Sequence, residues 1–66
     1  MIKNDRELET TQERIRHFER QAAEIRKTET NAENYRLSVA GFLAEIDRMN
    51  LDIREYLSSV PTELPA

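Results

Sequence analysis

The sequence predicts an all-α fold: a two-helix antiparallel hairpin, with helices over 5–28 and 31–59, that self-associates into a helical bundle. Three observations predict it. The chain has one glycine and two prolines, too few for the frequent turns of a β-rich fold. Arg, Glu, Ala and Leu dominate, which is typical of long helices. Apolar residues recur at alternating spacings of three and four, the period of a helix that buries one face.

The first helix is predicted to begin after Asn4. The Asn4 side chain can cap the helix, and Glu7 follows three residues later, as in a capping box. Its apolar residues form one narrow heptad stripe, which is typical of a helix that packs against a single neighbour. We expect this stripe to provide the hairpin packing through Leu8, Ile15, Phe18, Ala22 and Ile25.

The second helix carries a wider apolar face. One seam follows spacings of three and four, with Asn50 in a core slot, and a second row beside it repeats every seven residues. A face this wide is expected on a helix that touches two or more neighbours. The predicted interface residues are therefore Tyr35, Val39, Phe42, Leu43, Ile46, Met49, Asn50, Ile53, Tyr56 and Leu57, together with Gly41.

The connection between the helices has no glycine or proline, and two interpretations compete for it. The heptad phase of the first helix continues unbroken into the second, which favours one long helix in a coiled coil. Glu29 and Arg36, however, would then occupy core slots. Thr30 and Glu33 form a second capping box, which indicates a new helix start at Thr30 or Asn31. We therefore predict a hairpin, with the continuous helix as the alternative.

The small size of the chain predicts a partner. Below about 70–80 residues a single core rarely supplies more than about 3–5 kcal/mol. The chain has 66 residues and no cysteine, so a disulfide cannot reinforce the fold. We expect homo-oligomerisation, with a dimer that forms a four-helix bundle favoured and another protein as the alternative partner. The hairpin is predicted to span 1–60, and 61–66, which begins with Pro61, is predicted to be a short disordered tail.

No residue pattern predicts catalysis, metal binding or a cofactor. The single histidine, His17, falls on the predicted solvated face, where a surface role is the expected one. The net charge of −3, from 13 acidic and 10 basic residues in mixed order, gives no basic patch for direct nucleic-acid binding. No apolar run has the length of a membrane span, and no secretory signal is present. We expect a non-enzymatic, cytoplasmic protein that does not bind a membrane.

Two residues of the second helix leave alternatives open. Asn50 is either buried at an interface, where an asparagine in a core position fixes register, or lies at a rim in contact with water. Gly41 costs about 1 kcal/mol relative to alanine inside a helix. It either allows close approach of a helix from a second chain or is simply tolerated.

The stretches MIKNDREL, TTQERIRHFE and GFLAEIDRMNLDIREYL resemble a family of small bacterial helical proteins. These are similar to the N-terminal helical segment of antitoxin-like helix-turn-helix regulators. The resemblance implies a regulatory component acting with a toxin–antitoxin or transcription-regulator partner. The DNA-binding domain of such regulators would follow the second helix, whereas this sequence stops at Ala66, so direct DNA binding is not implied. Assembly or partner contact is implied through Phe42, Leu43, Ile46, Met49, Ile53 and Tyr56.

Overall fold

In a computed structural model that describes residues 1–61, the chain forms two helices joined by a short connection. Helix α1 spans Asp5–Thr28 and helix α2 spans Ala32–Ser58. The helices fold back on each other as an antiparallel hairpin, so the predicted hairpin is confirmed and the continuous helix is wrong. The predicted tail lies, beyond Pro61, outside the described residues.

Helix α1 begins at the predicted cap. The Oδ1 atom of Asn4 accepts a hydrogen bond of 2.8 Å from the backbone N–H of Glu7, while Asn4 itself has an extended backbone. The Glu7 side chain reaches back, but to the backbone N–H of Lys3 (2.9 Å) and not to that of Asn4. The Asn4 bond satisfies one of the N–H groups that the helix would leave unpaired, and the Glu7 bond satisfies the N–H of the residue before the cap. The local sequence alone is therefore sufficient to start α1.

The connection turns the chain without any left-handed residue. Glu29 is extended (φ −82°, ψ 125°), and its N–H donates to the carbonyl of Ile25 at 2.8 Å. Asn31 is also extended, and its N–H donates to the Glu29 carboxylate at 3.0 Å. No residue in the described chain has a positive φ. Because every residue of this turn has a backbone conformation that ordinary side chains adopt, the turn needs no glycine.

The capping box predicted at Thr30 is wrong by one residue, and Asn31, the other predicted restart point, caps α2. Its Oδ1 atom accepts a hydrogen bond of 3.0 Å from the backbone N–H of Asn34. The N–H of Asn31 is already bound by the carboxylate of Glu29, which lies in the turn before the helix. Glu33 therefore does not have to reach back to that N–H. Glu33 instead forms an ion pair of 3.6 Å with Arg36.

Replacing Asn31 with alanine is expected to lower the free energy of unfolding by about 1 kcal/mol, because it removes the cap of α2. Thr30→Ala is the matched control, since it removes a hydroxyl one residue earlier and leaves the cap intact. Urea unfolding followed by circular dichroism measures both. A cost for Thr30→Ala equal to that of Asn31→Ala would contradict the assignment of the cap.

The interior of the hairpin is small. Ile15 of α1 packs with Ile46 and Met49 of α2, and the partly buried Phe18 and Ile53 pack against this cluster. No side chain in the described chain is completely buried. The hairpin thus has one short contact line between two helices.

Aromatic contacts extend this line. The rings of Phe18 and Phe42 lie 5.7 Å apart in a tilted arrangement, which is favourable for an aromatic pair. A tyrosine then closes each end of the hairpin. Near the turn, the Arg26 guanidinium donates to the Tyr35 hydroxyl at 3.2 Å and lies 5.9 Å from its ring centroid. At the open end, the Tyr56 hydroxyl donates to the Asp5 carboxylate.

Candidate interaction surface

No polar or charged residue in the described part of the chain is buried. His17 is exposed and lies beside the ring of Phe18, with ring centroids 6.1 Å apart. Within residues 1–61, no group of three or more histidine, aspartate or glutamate side chains is placed to hold a metal ion. A hydrogen bond to Glu45 raises the pKa of the exposed Arg48 guanidinium. The candidate functional features of the hairpin are therefore its exposed apolar surfaces.

The inner face of α2 is the part that α1 covers. Seven of the predicted interface residues are buried or half-buried on it: Tyr35, Val39, Phe42, Ile46, Met49, Ile53 and Tyr56. All five predicted packing residues of α1 are likewise buried or half-buried: Leu8, Ile15, Phe18, Ala22 and Ile25. The row that repeats every seven residues from Tyr35 is therefore part of the hairpin interior.

The remaining row of predicted interface residues, which we call the flank row, consists of Leu43, Asn50 and Leu57. All three are exposed, with Leu43 at 49% and Leu57 at 62%. Each residue of the row lies three or four positions from buried or half-buried residues of the inner face, such as Ile46 and Ile53, and residues at this spacing are neighbours on a helix surface. The flank row thus extends the apolar interior of the hairpin out to the solvent.

The structure also reveals an outer face that sequence reasoning missed. Leu37 and Leu51 are 70% and 54% exposed, and the exposed alanines Ala40 and Ala44 lie between them in sequence. The spacings of three, four and seven put these residues on one side of α2, opposite the inner face. The spacing of these residues can be read from the sequence. The inner face carries more large apolar residues, however, and the prediction followed that face alone.

Within the described hairpin, no other part of the chain approaches Gly41. A Cβ atom added to Gly41 would meet no atom within 4 Å, and the backbone there is ordinary helix. The choice between a tolerated glycine and contact with a second chain therefore depends on the state of the protein in solution.

Gly41→Ala is expected to raise the free energy of unfolding by about 1 kcal/mol, because alanine is the better helix former and the site has room for it. Ala40→Gly, the reverse change at the adjacent exposed position, should lower it by a similar amount and serves as the control. Thermal unfolding measures both. A Gly41→Ala variant that is less stable, or that self-associates less, would show that another helix lies against Gly41.

Two opposite charges lie beside the flank row. Asp47 and Arg54 are exposed on α2, and neither belongs to an ion pair within the described part of the chain. Arg48, in contrast, pairs with Glu45 on the same helix. Asp47 and Arg54 are seven residues apart, about 10.5 Å along the helix, which is too far for them to pair with each other.

Comparison of the chain with protein families, curated proteins and solved structures finds no match. Neither α1 nor α2 combines the length and the apolar character that crossing a bilayer requires. The assignment of function therefore depends on the surfaces described above.

Proposed function

We propose that this chain is a non-enzymatic oligomerisation module that forms a homodimer, in which two hairpins make a four-helix bundle. The observation that carries the proposal is the flank row: Leu43 and Leu57 are largely exposed although they continue the apolar interior. A second copy placed on this row would cover it and extend the core by two more helices.

The exposed area of the chain supports this proposal. Its accessible surface is 5603 Å², whereas a compact monomer of 7.8 kDa exposes about 4,400 Å². The excess of about 1,200 Å² is larger than the roughly 800 Å² that one partner contributes to a standard interface. A dimer with an interface of standard size can therefore cover about two thirds of the excess.

The composition of the chain supports it as well. A core built on Ile15, Ile46 and Met49 is small for a chain that must fold without further support, and no disulfide is available because the chain has no cysteine. Burial of Leu43 and Leu57 against a second copy would add to that core. The regulatory role with a toxin–antitoxin or transcription-regulator partner stays a prediction from the resemblance alone.

The test is the mass of the protein in solution. Sedimentation equilibrium at micromolar concentration is expected to give twice 7.8 kDa for the natural sequence. The double variant Leu43→Glu/Leu57→Glu should be monomeric, because it places carboxylates on the flank row. Leu37→Glu/Leu51→Glu, the same change on the outer face, is the matched control and should remain dimeric.

Two results would contradict the proposal. A natural chain that stays monomeric and folded throughout the micromolar range would overturn self-association itself. A dimer that survives the flank variant but dissociates in the outer variant would overturn the assignment of the flank row.

A further inference from the structure

The flank row is symmetric about Asn50. Leu43 lies seven residues before Asn50 and Leu57 lies seven residues after it, which is about 10.5 Å in each direction along the helix. Two copies of α2 laid antiparallel, with a two-fold axis at Asn50, would therefore place each leucine of the row opposite a leucine of the other copy. A two-fold interface requires such a self-complementary patch.

The side chain at the centre of the row is also self-complementary. An asparagine amide has an oxygen that accepts and an NH₂ group that donates hydrogen bonds. Two Asn50 side chains that face each other across an axis can therefore satisfy one another. Asn50 is exposed within the hairpin, so its amide is available for this contact.

The neighbouring charges distinguish the two orientations of a pair. In the antiparallel arrangement, Asp47 of one copy and Arg54 of the other differ in height along the helix axis by only about 1.5 Å. The two-fold symmetry repeats this pair on the other side of the axis. In a parallel arrangement, the two copies of each residue would lie level with each other but on opposite sides of the seam, so Asp47 and Arg54 could not pair across it. Charged residues beside a helix–helix seam set orientation in this way.

We infer that the chain forms an antiparallel two-fold homodimer with Asn50 at the axis, Leu43 packed on Leu57 of the second copy, and Asp47 paired with Arg54 of the second copy. The inference depends on the proposed function, since it specifies the partner and the register of that same surface. It also gives Asp47 and Arg54 ion-pair partners, which neither has within the described part of the hairpin.

Disulfide mapping tests the register without interference, because the chain has no cysteine of its own. A Leu43→Cys chain and a Leu57→Cys chain of different mass, refolded together and oxidised, are expected to form a linked heterodimer. Either variant alone should remain unlinked. Its two cysteines would be about 21 Å apart, whereas a disulfide needs Cα atoms within about 7 Å.

The outcomes separate this inference from the proposed function. Linked homodimers of Leu43→Cys alone would indicate a parallel pair and overturn the inference. A mixture that is dimeric by sedimentation but does not link would also overturn it, while leaving self-association intact. A monomeric mixture, with the natural chain also monomeric, would overturn the proposed function itself.

Charge reversal tests the predicted ion pair. Asp47→Arg and Arg54→Asp are each expected to weaken dimerisation about tenfold, because each makes two attractive pairs repulsive. The double reversal should restore the natural affinity. Glu55→Arg, an equal change of charge on an exposed residue of α2 away from the flank row, is the control. Failure of the double reversal to restore affinity would overturn the Asp47–Arg54 pairing.

Discussion

Replacing Ile46 with alanine is expected to lower the free energy of unfolding by about 2–5 kcal/mol, which is the usual cost of truncating a buried isoleucine. Ile46 is only 7% exposed and packs with Ile15 and Met49 at the centre of the hairpin. Because a core of this size rarely supplies more than about 3–5 kcal/mol, the variant should be largely unfolded without denaturant. Loss of the helical circular dichroism signal, together with urea unfolding where a transition remains, measures the effect.

Leu37→Ala is the control for this prediction. It removes an aliphatic side chain from the same helix at a site that is 70% exposed, so its cost should be within about 0.5 kcal/mol. A similar cost for the two variants would contradict the placement of Ile46 at the centre of the core. A large cost for Leu37→Ala would show that the outer face is covered in solution.

The bounds of the helices could be predicted from sequence because local chemistry sets them. The predicted ranges were 5–28 and 31–59, and the observed helices are Asp5–Thr28 and Ala32–Ser58. Asn4 caps α1 through a bond to a residue three positions away. Such short-range contacts depend little on the rest of the fold.

The turn was harder to predict, since its conformation depends on which of two adjacent residues caps α2. Thr30 and Asn31 are both competent caps by residue type. The deciding contact is the bond from the Asn31 N–H to the Glu29 carboxylate, which forms only once Glu29 leaves the helix. The unbroken heptad phase favoured a continuous helix, but phase carries no information on whether the backbone between two helices turns.

The rotation of α2 about its own axis could not be predicted at all. Two rows lie on either side of the buried residues Val39 and Ile46: the row that contains Phe42, and the flank row that contains Leu43. Both rows carry large apolar side chains. The connection between the helices determines which row meets α1. The row of Phe42 does so, and the flank row is left exposed.

Asn50→Leu is expected to tighten dimerisation about 100-fold, because two more leucines would be buried at the axis for a total of about 3 kcal/mol. The same change should weaken the preference for one register. An asparagine in a core position disfavours any register that places its amide against a leucine. A leucine at the same position does not disfavour such a register. The natural residue would thus reduce affinity and enforce the register in which the two Asn50 side chains meet.

Sedimentation and disulfide mapping together check both effects. In the Asn50→Leu background, the Leu43→Cys and Leu57→Cys chains should form less of the linked heterodimer, which indicates that shifted registers are populated. Asn50→Ala is the control: it removes the amide while adding little apolar area, so its affinity should rise far less. If Asn50→Leu left affinity and register unchanged, Asn50 would have to lie in water in the dimer, and the axis would have to pass elsewhere along α2.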